Sequence, residues 1–100
     1  MTVTEFGKDV VDNIHRATLA NAMNIADKID NDEFYTFHDF VDAVNQSVSQ
    51  SLSENKIDRI KAYKILVAVD KYTKMYDSET KYNTRMVIDN LIISIWECYQ

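Results

Sequence analysis

This sequence has almost none of the residues that make tight turns, because its 100 residues include one glycine and no proline. The primed turns of β-hairpins need glycine, and a β-sandwich needs many such turns. An all-β fold is therefore disfavoured, and helices joined by short polar connections are predicted. The β-branched run "ILVAV" at 65–69 suits a buried strand, so a small α/β mixture is the structural alternative.

Apolar residues recur at helical spacing along the chain, which predicts an all-α fold of about four helices in one small domain, residues 1–100. Thr2 and Glu5 form a capping-box pair at the start of the first helix, whose apolar pattern continues to Ile29. Thr36 and Asp39 resemble a second cap. The other predicted helices are Thr36–Leu52, about Lys56–Tyr76, and Tyr82–Tyr99.

Composition places the chain among folded globular proteins, with 46% hydrophobic and 27% charged residues. The single cysteine, Cys98, rules out an internal disulfide and fits a reducing compartment, where we expect it to be a small buried apolar residue. The sequence starts without a signal-peptide pattern, and no apolar run approaches the ~18 residues of a membrane span. We therefore expect a cytoplasmic protein without membrane contact.

The net charge of −5 conceals a sharp division along the chain. Residues 1–55 are strongly acidic, whereas residues 56–76 carry an excess of lysine and arginine. Pairing of the two regions, within or between chains, is the expected use of these charges. Direct binding of nucleic acid is not expected, since the acidic remainder would repel a polyanion. It stays an alternative, through Lys56, Lys64, Lys71 and Lys74.

The sequence predicts no catalytic, metal or cofactor site. A calcium loop starting at Asp30 would place Phe34 and Tyr35 where an oxygen ligand and a glycine are needed. His38 and Asp42 have the one-turn spacing of two metal ligands, but no second histidine or cysteine lies nearby to complete a set. No glycine-flanked nucleophile or phosphate-binding glycine loop occurs. We expect a non-enzymatic protein.

An unusual polar but uncharged segment follows in the second predicted helix. Uncharged side chains lose less on desolvation than ions do, so this face is either an interface or neutral drift. Outside the apolar stripe the segment presents Asn45, Gln46, Ser47, Ser49 and Gln50.

The last predicted helix has more apolar side chains than one face can hold. Ile88, Leu91, Ile92, Ile95 and Tyr99 share one side at ~100° per residue, and a second stripe lies nearly opposite. Either this helix is central in the domain or its outer face meets another chain. Self-association about a two-fold axis is the economical form of the second option. The predicted dimer or partner interface is Tyr82, Met86, Asp89, Ile93 and Trp96.

The segments "TFHDFVDAVNQSVSQSL", "IDRIKAYKIL" and "VIDNLIISIWECY", within residues 36–99, resemble the Ocr-type antirestriction proteins of bacteriophages. The resemblance implies a helical dimer that imitates the DNA phosphate backbone and blocks host defence enzymes. The positions that match form a candidate acidic mimic surface of Asp39, Asp42, Asp89 and Glu97. The cationic third helix departs from the family pattern, which favours inhibition by protein contact over phosphate mimicry.

The leading functional hypothesis is therefore a small non-enzymatic phage protein, acting in the host cytoplasm. It would bind and inhibit a host defence component of the restriction, BREX or CRISPR type by protein–protein contact, with partial DNA mimicry. Its expected partners are a second copy of itself and that host protein. The alternative is a self-associating structural or regulatory helical protein without an inhibitory target.

Overall fold

A computed structural model describes residues 2–32, 35–78 and 83–99 of the chain. These residues form a compact all-helical domain without strands, and the segment "ILVAV" is helical, so the α/β alternative is wrong. A 3₁₀ turn, Ile14–Arg16, links the first two helices. The helices are α1 (Val3–Asn13), α2 (Leu19–Asn31), α3 (Phe37–Ser53), α4 (Arg59–Asp77) and α5 (Thr84–Glu97).

The first predicted helix is in fact two helices, so the described residues contain five helices rather than four. A straight helix from residue 2 to residue 29 would run about 42 Å, whereas the longest dimension of the molecule is 39 Å. The chain breaks at Ala17, which is extended, and Thr18 restarts it by accepting a hydrogen bond from the Asn21 N–H at 3.2 Å. The apolar spacing continues across this break, and spacing alone therefore predicted one helix.

Thr2 and Thr36 cap α1 and α3 as predicted, but the Glu5 carboxylate accepts a hydrogen bond from the Thr2 hydroxyl instead of completing a capping box. The Thr2 hydroxyl accepts a hydrogen bond from the Glu5 N–H at 3.2 Å. Thr36 and Asp39 form a reciprocal capping box, in which each side chain accepts a hydrogen bond from the backbone N–H of the other residue. Because capping satisfies otherwise unpaired N–H groups, these residues fix where α1 and α3 begin.

Helices α1 and α3 pack unusually closely, because small residues line their contact. A Cβ atom built on Gly7 would lie 2.5 Å from the Cβ of Ala43. One and two turns further along α3, Ser47 and Ser51 are buried. The prediction that Ser47 belongs to the exposed polar face is therefore wrong, since its small side chain lies in the protein interior.

Helix α5 lies against α2 on one side and α4 on the other. Its predicted core side is confirmed, with Ile88, Leu91, Ile92 and Ile95 all buried. Two side-chain hydrogen bonds join the C-terminal end of α5, and the residue Tyr99 that follows it, to the first 17 residues. The Trp96 indole N–H donates to the Ala17 carbonyl, and the Tyr99 hydroxyl donates to the Val11 carbonyl, each at 2.9 Å.

None of the helices within the described ranges combines the length and the apolar character that crossing a bilayer demands.

Candidate interaction surface

The most exposed apolar surface lies on α4 rather than on α5. Ile60 and Tyr63 are each 69% exposed and Val67 is 48% exposed. Their spacing of three and four residues places them on one face, opposite the buried Ala62 and Val69. We name Ile60, Tyr63 and Val67 the α4 apolar face. Monomeric proteins expose single apolar residues routinely, but a contiguous group marks a candidate binding surface.

Lysines border the α4 apolar face, as the sequence predicted for this side of the helix. Lys64 and Lys71 are exposed and lie within one helical turn of Val67. The Lys71 ammonium lies 5.2 Å from the centroid of the Tyr72 ring. Lys64 makes no ion pair with the part of the chain that the structure describes. The face therefore has an apolar centre and a cationic margin.

Two of the four lysines considered for nucleic-acid binding already have carboxylate partners. Lys56 pairs with Glu54 at 3.2 Å and Lys74 with Asp70 at 3.0 Å. These exposed pairs are worth little to stability, but each reduces the positive potential available to a phosphate backbone. Among these four lysines, and within the described residues, the uncompensated positive charge is therefore confined to Lys64 and Lys71, beside the α4 apolar face. It does not extend along the helix as binding of a nucleic-acid backbone would need.

The predicted α5 interface residues separate into two groups. Met86 is 50% exposed and Ile93 is half-buried, and their spacing of two turns aligns them on the outer side of α5. Trp96 is half-buried against the core through its hydrogen bond to Ala17. Tyr82 lies outside the described residues. The described part of the second apolar stripe is therefore only partly covered, with Trp96 tied to the core and Met86 open to solvent.

Asp89, predicted for both the interface and the acidic surface, belongs to an ion-pair cluster centred on Arg85. The guanidinium contacts Asp89 at 2.9 Å, Asp27 at 2.5 Å and Asp30 at 3.7 Å. Hydrogen bonds to Asp89 and Asp27 raise the pKa of Arg85 well above its ordinary value. The cluster fastens the start of α5 to α2 and compensates the charge of Asp89 within the chain.

The other acidic candidates lie on two different helices. Asp39 and Asp42 are exposed on α3, one turn apart, and Asp39 also serves the capping box. Glu97 is exposed at the end of α5, whose main packing partners are α2 and α4. The structure places Asp39 with Asp42, and it places Asp89 and Glu97 on a different helix.

His38 pairs with Asp77 rather than with Asp42. Its Nε2 lies 2.8 Å from the Asp77 carboxylate, and its ring meets the Tyr76 ring edge-on at 5.7 Å. This contact joins the start of α3 to the end of α4. Among residues 2–32, 35–78 and 83–99, no three histidine, cysteine or acidic side chains converge in a way that could hold a metal ion.

The sequence analysis did not predict the α4 apolar face, although Ile60, Tyr63 and Val67 have helical spacing. Both sides of α4 carry apolar residues, and the longer stripe, on the buried side, hides the shorter one in the pattern. None of the protein-family models, curated proteins or solved structures compared with this chain matches it.

Proposed function

We propose that this protein is a small non-enzymatic phage protein that inhibits a host defence component by binding it. The observation that supports this most is the α4 apolar face with its cationic margin. Burying a large apolar side chain stabilises a complex by about 1.5–3 kcal/mol. Tyrosine at the centre of such a face is typical of the residues that dominate binding energy. Ile60, Tyr63 and Val67 can therefore supply most of the affinity of an interface.

The chemistry of this face specifies the partner surface. An apolar recess bordered by carboxylates would bury Ile60 and Tyr63 while its acids meet Lys64 and Lys71. The resemblance to antirestriction proteins suggests which class of host protein carries that recess, namely a defence enzyme of the restriction, BREX or CRISPR type. Partial DNA mimicry would fall to Asp39, Asp42 and Glu97, since Asp89 is compensated by Arg85.

An infection assay tests the inhibition. Bacteria that carry one defence system express the protein and are challenged with a phage that the system restricts. Plating of the phage should recover with the wild type and should not recover with the double variant Ile60→Asp, Tyr63→Asp. The control is the double variant Asn21→Asp, Asn24→Asp, which adds the same two negative charges on the exposed side of α2.

Circular dichroism must first show that both double variants remain helical. The assay is repeated in hosts that carry a restriction, a BREX or a CRISPR system. If the wild-type protein restores plating in none of these hosts, the proposal is refuted. It is also refuted if the α4 variant restores plating as well as the wild type does.

We also propose that two copies pair through the outer side of α5, about a two-fold axis. The exposed Met86 and the half-buried Ile93 support this pairing. Sedimentation velocity of the wild type should give a dimer, and Ile93→Asp should give a monomer, because each interface would then bury two carboxylates. Asn24→Asp should remain dimeric. A wild type that sediments as a monomer at high concentration excludes this interface.

The second candidate function is that of a self-associating structural or regulatory protein. The outer side of α5, with Met86 and Ile93, supports it as well. The two functions differ in their dependence on α4. Inhibition requires Ile60 and Tyr63, whereas a purely self-associating protein should form its dimer with those residues changed and should leave phage plating unaltered on defended hosts.

A further inference from the structure

A hollow of about 320 Å³ lies at one end of the helix bundle, away from the centre of the α4 apolar face. The end of α1, the 3₁₀ turn, the connection between α3 and α4, and the residue Tyr99 after α5 all meet there. A second hollow of about 250 Å³ adjoins it, and both are lined by His15, Lys56 and Tyr99. A volume of this size accommodates a small metabolite rather than a peptide.

Tyr99 forms a fixed aromatic wall between the two hollows. Its hydroxyl donates to the Val11 carbonyl at 2.9 Å, and the His15 ring centroid lies 5.7 Å from that of Tyr99. Burial raises the pKa of Tyr99 to about 12, so the phenol stays neutral at physiological pH. The Lys61 ammonium lies 5.7 Å from the Tyr99 ring centroid, which places a cation beside the ring.

Lys56 is positioned by the way α3 ends. Asn55 has a positive φ of 61°, and the Lys56 N–H donates to the Ser51 carbonyl at 2.8 Å. The Asn55 N–H donates to the Leu52 carbonyl at 3.2 Å. These two bonds form a Schellman motif, which reverses the chain and directs Lys56 back toward the bundle end.

The charges that face the hollows favour an anion. The lysine and arginine residues there are Arg16, Lys56 and Lys61, with His15 as a further basic residue, and the carboxylates are Asp12 and Asp58. Asp58 is engaged as the cap of α4, where it accepts a hydrogen bond from the Lys61 N–H at 2.8 Å. Glu54 pairs with Lys56 from outside. The lining of the two hollows therefore holds three cations and two carboxylates, an excess of one positive charge, in a chain whose net charge is −5.

We propose that this site binds a small phosphate-bearing ligand of nucleoside monophosphate size. Arg16 of the first hollow and Lys61 of the second supply donors for the phosphate, for which the guanidinium fork of arginine is well suited. Lys56 contributes once its contact with Glu54 is exchanged for one with the ligand. The planar group of the ligand lies against Tyr99 and His15. This site and its test are independent of the inhibition proposed above.

Titration with adenosine monophosphate, with adenosine as the matched probe lacking phosphate, tests the site. The indole N–H of Trp96, the single tryptophan, donates a hydrogen bond to the carbonyl of Ala17, the neighbour of Arg16. Tryptophan fluorescence therefore reports on this end of the bundle. Backbone amide chemical shifts should change saturably around residues 15–17 and 55–61 with the monophosphate and change far less with adenosine.

Four variants make the test specific. Arg16→Gln and Lys61→Gln should each weaken binding about tenfold, as expected for loss of one charged hydrogen bond. Lys28→Gln removes an exposed cation of α2 and should leave the affinity unchanged. Glu54→Gln should strengthen binding, because it frees Lys56.

Absence of saturation at millimolar monophosphate would overturn the assignment. Equal weakening by Lys28→Gln, or weaker binding by Glu54→Gln, would do the same, since either result indicates attraction to the chain at large. A 5′-phosphorylated oligonucleotide that binds more than about tenfold tighter than the monophosphate would assign the site to a strand end instead, against the small-ligand proposal.

Discussion

Replacing Gly7 with alanine places a methyl group where α1 and α3 already touch. The new Cβ would lie 2.5 Å from the Ala43 Cβ, 2.9 Å from the Ala43 carbonyl carbon and 3.1 Å from the Val44 nitrogen. Carbon atoms in contact normally stay about 3.5–4.0 Å apart. Two of the three neighbours are backbone atoms, which no rotamer change can move, so the helices must separate by about 1 Å to restore that distance.

The sign of the stability change decides whether this contact is as close as described. Overpacking of a core costs about 1–3 kcal/mol, whereas exchanging glycine for alanine inside a helix gains about 0.5–1 kcal/mol. We expect Gly7→Ala to destabilise the protein by about 1 kcal/mol, the difference between the mid-range values of these two effects. For a domain of this length that lowers Tm by about 4 °C or more.

Thermal and urea unfolding followed by far-UV circular dichroism measures the effect. Ser49→Ala, on the exposed side of α3, is the control, since it changes helix propensity without touching α1. Ala43→Gly removes one of the crowded atoms, so it should cost less in the Gly7→Ala background than in the wild type. A Gly7→Ala protein with a higher Tm than the wild type would refute the close-packing argument.

Four further outcomes follow from the contacts of α5 and the residues after it. Trp96→Phe removes a hydrogen bond and leaves a carbonyl without its donor, so urea unfolding should show a loss of about 1–2 kcal/mol. Arg85→Met leaves three carboxylates around an uncharged side chain, and its destabilisation should be larger in low salt than in high salt. Burial raises the pKa of Tyr99 from its ordinary value of 10.0 to about 12. Its contribution to stability is complete below pH 10 and declines as the pH rises toward 12, because the unfolded chain loses the proton first. Denaturation midpoints measured across that range should therefore fall less steeply in Tyr99→Phe. Burial raises the pKa of the Cys98 thiol, so an aromatic disulfide reagent at neutral pH should react slowly with the folded protein and faster once urea unfolds it.

Periodicity and caps were enough to predict most of the helical core. The α5 core side and the caps at Thr2 and Thr36 are local features, since each depends on residues within two turns of one another. The break between α1 and α2 was missed because the apolar spacing continues through Ile14, which remains buried in the 3₁₀ turn. Only the packing of α1 and α2 against different neighbours requires the chain to change direction there.

The candidate surface was harder to predict because it depends on which of two stripes each helix buries. Both α4 and α5 carry apolar residues on two sides. The spacing of residues within one helix does not show which of the two sides is buried. Trp96 of α5, a predicted interface residue, is half-buried against the core, whereas Tyr63 of α4, which no pattern singled out, is 69% exposed. Ser47 shows the same limit for polar residues, since it is buried although its place outside the apolar stripe of α3 predicts exposure.

The hydrogen bonds of α5 to the first turns of the chain have a consequence for biosynthesis. Tyr99 and Val11 are 88 residues apart, and Trp96 and Ala17 are 79 apart. A nascent chain that still lacks α5 leaves the facing sides of α2 and α4 uncovered, with their apolar residues in water. Residues 1–99 must therefore have left the ribosome before the domain can close, and until then chaperones have an open groove to bind.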